Sequence, residues 1–158
     1  MIKPLFAVLF GIAVATAPVP AAWAQDKPAV DVEALKAAAK SDKRALVGST
    51  LKLDDAEAKK FWPLYDDYQR KTDTLNRRTA RLVEEVIAQT APISDAHAKA
   101  LLKEALAIED EEMRLRRGYQ NRLVKVLPAT KVMRYLQLEN KIRAFQDYDI
   151  AKVMPLLQ

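Results

Sequence analysis

The five residues Thr90-Ala91-Pro92-Ile93-Ser94 decide how this chain folds. They interrupt two long stretches whose apolar residues recur at helical spacing. Thr90 to Ile93 form the turn, and Ser94 offers a hydroxyl to cap the helix that follows. So short a connection between two long helices makes them antiparallel neighbours, and the centre of the fold is a helical hairpin.

Upstream of the turn, the pattern predicts one helix from Asp54 to about Gln89. It opens on Leu53-Asp54-Asp55-Ala56-Glu57. Asp54 can accept from the first-turn N–H groups and Glu57 can reach back, which is a capping box. Phe61, Trp62, Leu64, Tyr65, Tyr68, Leu75, Leu82, Val83, Val86 and Ile87 supply its apolar positions. Pro63 costs this helix one hydrogen bond and is expected to bend it near its start. From Gln69 to Arg81 the only large apolar side chain is Leu75. A helix that polar needs partner contacts or charge pairing.

Downstream, a helix from Ser94 to about Val126 carries Leu101, Leu102, Leu106, Ile108, Met113, Leu115, Tyr119 and Leu123. Leu127-Pro128 breaks it, with Pro128 suited to be the first residue of a last helix that continues to Pro155. A first helix is expected from Asp31, its N-cap, to about Val47. Gly48-Ser49-Thr50 weakens or ends it there, with extension to Lys52 as the alternative. The fold class is all-α: a long antiparallel helical hairpin with a shorter N-terminal helix and a C-terminal helix. All four belong to one domain over 31–158.

Centring the turn near residue 92 puts residue i opposite about 184 − i. Asp66 and Asp67 then face Arg117 and Gly118, beside Arg116. Arg70 and Lys71 lie one turn from Asp110 to Glu112. Arg77 and Arg78 come near Glu104 and within reach of Glu109, while Glu84 and Glu85 face Ala100 and Lys99. Exposed ion pairs contribute only ~0.2–1 kcal/mol each, so the matching sets register more than stability. It also turns Arg77-Arg78-Arg81 and Arg114-Arg116-Arg117 into paired flanks of a hairpin rather than a nucleic-acid or phospholipid patch.

The first 24 residues read as a secretory signal. Lys3 gives the positive start, Leu5 to Val14 an apolar run, and Ala22-Trp23-Ala24 a small-residue cleavage site between Ala24 and Gln25. The run is shorter than the ~20 residues that span a bilayer, so no stable membrane insertion is expected after cleavage. Residues 25–30 form a polar leader. Cleavage removes one lysine and no other charge, taking the formal net charge from +5 to +4. So mild an excess does not indicate a nucleic-acid partner. The chain has no cysteine, which excludes disulfides, thiol catalysis and thiolate metal sites. Gly48 and Gly118 are the only glycines past residue 24, too few for a Gly-rich phosphate loop.

Residues with chemical potential are sparse. His97, the only histidine, stands near a helix start without the second His or Cys that a metal site needs. It reads as a solvated side chain, with Glu85 or Asp95 as helpers in the metal alternative. Met113, Met133 and Met154 read as core filler. Glu139, next to Leu138 on the last helix, is expected to be buried against an arginine. No catalytic constellation and no cofactor site emerges, so the chain reads as a non-enzyme. The most informative group is Phe61, Trp62, Tyr65 and Tyr68. It covers more than one helical face, so two readings stand. One clamps the open end of the hairpin against the first and last helices; the other exposes part of it as a protein-binding surface.

In architecture the chain resembles the Spy and CpxP family of periplasmic helical proteins, whose helices open on an LTxxQ motif. Leu53-Asp54-Asp55-Ala56-Glu57 and Leu127-Pro128-Ala129-Thr130-Lys131 stand at the two comparable junctions. Asp54 and Pro128 take the place of the Thr, and Glu57 and Lys131 that of the Gln. The resemblance implies a periplasmic chaperone or envelope-stress modulator, commonly a homodimer, with unfolded or regulatory envelope proteins as partners. A periplasmic sensor domain for a metal or ligand, reporting to a membrane partner, is one alternative. A structural envelope protein is the other.

Overall fold

A computed structural model describes residues 32–157. The signal segment 1–24, its cleavage position, the leader 25–30 and the Asp31 cap lie outside the described residues. Among the described residues four helices follow one another: α1 (Val32–Leu51), α2 (Asp55–Ile87), α3 (Asp95–Leu123) and α4 (Ala129–Val153). The fold is all-α, as the periodicity predicts.

The predicted caps are in place on α2 and α3. Asp54 accepts the Glu57 N–H at 2.8 Å, and Glu57 accepts the Asp54 N–H at 3.0 Å. Together they satisfy two of the donors that a helix start leaves orphaned. The helix then runs unbroken through Pro63. Ser94 accepts the His97 N–H and starts α3.

α1 reaches the longer of its two expected ends, and the shorter helices differ from expectation at Asp42 and Pro128. α1 continues through Gly48 to Leu51, because Gly48 rests against the Trp62 indole and packing outweighs its weak propensity. It ends on Lys52 in the left-handed conformation (φ 47°), whose N–H donates to the Gly48 carbonyl at 3.1 Å. Within α1, Asp42 leaves helical geometry, and its carboxylate accepts the Ala45 N–H at 2.8 Å. α1 is therefore two helical segments in tandem, the second with its own cap. Pro128 precedes α4 as an extended cap residue instead of being its first helical residue.

The closest backbone approaches pair α2 with α3 and α1 with α4. Lys36 pairs with Asp149, Lys43 with Glu139, and Lys131 with the Lys52 carbonyl. Residues equally distant from about position 92 thus face each other in both pairs, so that α1 and α4 form a second antiparallel pair alongside the α2–α3 hairpin. The pairs are joined at the open end of α2 and α3. There Phe61, Tyr65, Tyr68, Tyr119 and Leu123 meet Val47 and Leu51 of α1 and Val132, Tyr135 and Leu138 of α4. Farther out, the α2–α3 seam is held by Leu75, Val86, Leu101 and Ile108.

The charge register is partly as expected. Near the tip Arg78 meets Glu104 at 2.8 Å as expected, whereas Glu85, expected opposite Lys99, meets His97 at 2.8 Å instead. Toward the open end Asp67 pairs with Arg122 at 2.9 Å, about a turn beyond the expected Arg117, and Arg78 also reaches Glu111. Several expected partners go elsewhere. Asp66 pairs with Arg44 of α1, and Glu112 with Arg143 of α4. Arg70 and Lys71 pair with Asp67 on their own helix, and Lys99 with Asp95. A hairpin in isolation would satisfy its charges across one seam; here α1 and α4 offer nearer partners.

Candidate functional site

The aromatic group belongs to the core. Phe61 is fully buried, and Tyr65 and Tyr68 nearly so. Phe61 meets Tyr135 edge-on at 5.5 Å, and Tyr68 stacks on Tyr119 at 4.3 Å. Of the four residues considered as a protein-binding surface, only Trp62 keeps partial exposure. The Arg44 guanidinium lies over its ring, 4.1 Å from the centroid. The physical reason lies in the number of neighbours: α1 and α4 cover faces of α2 that a two-helix seam would leave bare.

Beside this core runs a polar network. Lys43 donates to Glu139 at 2.8 Å and to Gln69 at 3.0 Å, so the partner of Glu139 is a lysine and not the expected arginine. Removal from water, with the Glu139 carboxylate close by, pushes the hydroxyls of Tyr65, Tyr68 and Tyr135 above the usual tyrosine range. Burial does the same to Tyr119. These phenols stay neutral, and the Tyr119 and Tyr135 hydroxyls complete no hydrogen bond of normal geometry.

Past the network the two helix pairs enclose a cleft of about 570 Å³. α2 lines it with Gln69, Thr72, Asn76 and Val83, and α4 with Asn140, Ile142 and Gln146. Glu112 and Arg116 of α3 form part of its wall. The volume lies in the range of ligand sites, although the lining is more polar than is usual. Sequence reasoning missed this cleft. Its signal is the polar stretch from Gln69 to Arg81, whose need for partners is met in part by its forming a wall.

A second feature lies next to it. Leu102, Leu106 and Met113 of α3 are 58%, 53% and 49% exposed. At 3.6 residues per turn they stand roughly 100–140° around α3 from the seam formed by Leu101, Ile108 and Tyr119. Glu112 and Arg116 are turned the same way, toward the cleft. Glu104, Glu111 and Arg122 are turned the other way, where they pair with α2. Apolar exposure and the cleft therefore share one side of the hairpin.

His97 touches Glu85, one of the two carboxylates within reach of it in sequence, but among the described residues no group of three or more His, Asp or Glu is placed to hold a metal ion. No helix among them is long and apolar enough to cross a membrane. Compared with models of known families, with curated proteins and with solved structures, the chain finds no match.

Proposed function

We propose that this chain is an exported, non-enzymatic protein-binding module, a periplasmic chaperone or envelope-stress modulator like the Spy and CpxP proteins. Its contact surface is the exposed side of α3 rather than the aromatic group. The observation that carries this reading is the stripe Leu102, Leu106 and Met113, each about half exposed on one side of one helix. Contiguous apolar side chains rimmed by charge mark contact with other proteins. Lys99, Lys103, Glu109 and Asp110 supply such a rim in sequence. Each such side chain returns on the order of 1 kcal/mol when a partner covers it, which suits reversible capture of unfolded segments.

The experiment is light scattering from a heat-labile client incubated with residues 25–158. Equimolar protein should suppress aggregation. The double change Leu102→Gln and Leu106→Gln should remove that suppression, whereas Trp62→Ala should retain it. Absence of suppression by the unchanged protein, or full suppression by the double variant, rejects the reading. Export is tested separately, by expressing the whole chain and finding whether the product begins at Gln25.

A further inference from the structure

We propose that the cleft between the two helix pairs takes a basic polypeptide segment, whose lysine or arginine side chains pair with Asp73 and Glu84 of α2. This rests on the binding-module reading and names the chemistry of the partner.

The first observation is a reversal of sign. The chain as a whole carries a formal net charge of +5, yet carboxylates outnumber cations along the cleft. Its three cations are already engaged. Lys43 is held by Glu139, Arg143 bridges Glu112 at 2.8 Å and Asp147 at 3.6 Å, and Arg116 donates to Asn140. Asp149 at the outer edge is neutralised by Lys36 and Lys40 of α1. Asp73 and Glu84 also line the cleft, and they make no ion pair among the described residues. The wall of α2 therefore presents two spare negative charges that the fold itself does not use.

The second observation is the remaining lining. Asn76 of α2 and Gln146 of α4 supply amide donors and acceptors on both walls, and the Asn140 amide nitrogen adds donors, with Thr72 and Thr79 between them. Such side chains can bond to an extended backbone without demanding a given sequence. Asp73 and Glu84 are eleven residues apart on one helix, which separates them by roughly 16 Å along its axis. That distance corresponds to about five residues of extended chain. A segment with two cations about that far apart would pair with both and leave its backbone among the amides. A nucleic acid or an acidic peptide would meet like charge.

The test uses residues 25–158, which contain the whole compact unit Val32–Gln158. Fluorescence anisotropy follows a labelled Gly/Ser peptide bearing lysines, with glutamine and glutamate versions of the same length. The lysine peptide should bind, at least about ten-fold tighter than the glutamine peptide, and more weakly as salt is raised. The double change Asp73→Asn and Glu84→Gln should weaken the lysine peptide about three- to ten-fold and leave the glutamine peptide unchanged. Both side chains are exposed, so the helices should persist, as circular dichroism would verify, and the single changes Asp73→Asn and Glu84→Gln should each give part of the same loss. Equal binding of lysine and glutamine peptides, or undiminished lysine-peptide binding by the double variant, overturns the inference. If client protection persists while the lysine peptide fails to bind, the basic-segment inference alone falls. If both fail, the binding-module reading falls with it.

Discussion

Lys43 of α1 and Glu139 of α4 meet at 2.8 Å at the inner end of the cleft, and the same ammonium reaches Gln69 of α2 at 3.0 Å. One cation thus ties three helices where the two helix pairs begin to part. Their side chains keep only 23% and 14% of their exposure, so water screens the pair poorly.

Breaking this contact from one side should cost more than removing it. Glu139→Gln leaves a mostly buried ammonium without its counter-charge, and a loss of about 1–3 kcal/mol is expected. The double change Lys43→Met and Glu139→Leu removes both charges and should come closer to neutral. Urea unfolding at unchanged slope reads both values. A double variant at least as unstable as Glu139→Gln would show that the pair contributes net stability beyond avoiding an orphan charge.

Tyr135 offers the opposite situation, a buried polar atom without a partner. Its ring is fully buried between Phe61, Tyr65 and Tyr119, while its hydroxyl lacks a good hydrogen bond. Tyr135→Phe should therefore be neutral or stabilising by up to ~1 kcal/mol, whereas Tyr135→Ala should cost about 3–5 kcal/mol through lost packing. Thermal unfolding of both variants checks this. A clear loss on Tyr135→Phe would mean that the hydroxyl has a partner, with Glu139 the nearest in kind.

The hairpin was legible in the sequence because its signals are local. Asp54 and Glu57, Ser94 and the turn at Pro92 lie within a few residues of what they determine. The pairing of α1 with α4 was not, since Lys43 and Glu139 are brought together only by tertiary packing. The same holds for Asp66, which prefers Arg44 of α1 to anything across the hairpin. The break at Asp42 has a local signal in the Ser41-Asp42 pair, masked by an apolar spacing that runs through it. The cleft stayed hidden because a polar helix wall and a solvated helix face have the same composition; only the neighbour opposite tells them apart.

Acid should loosen the structure through three carboxylates. Hydrogen bonds from Arg122 and Lys71 hold Asp67 below the usual carboxylate range; Arg78 does so for Glu104, and Lys36 for Asp149. A lowered folded-state value means stability that is present above the ordinary carboxylate range and lost as pH falls through the folded value. Melting temperature should accordingly be level near neutrality and drop below about pH 4. Asp67→Asn should lower it at neutral pH and flatten the acid limb, since it removes one of the protons taken up. An unchanged acid limb in that variant would show that Asp67 is not among the groups responsible.

The two helical glycines give the last prediction. A methyl group at Gly48 would lie 3.6 Å from the Trp62 ring, an ordinary van der Waals contact, and one at Gly118 would meet nothing within 4 Å. Neither has a positive φ, so neither backbone needs glycine. Alanine in a helix interior is favoured over glycine by about 1 kcal/mol, and each replacement should stabilise by about 0.5–1 kcal/mol. For a domain of this size that is a rise of roughly 2–6 °C in Tm. The gains should add, because the two positions share no neighbour. Gly118→Ala tests helix propensity alone, while Gly48→Ala also tests how closely Trp62 sits on α1. Stabilisation by the first and destabilisation by the second would mean that the indole presses nearer to α1 than 3.6 Å allows, and that α1 depends on glycine for its contact with α2.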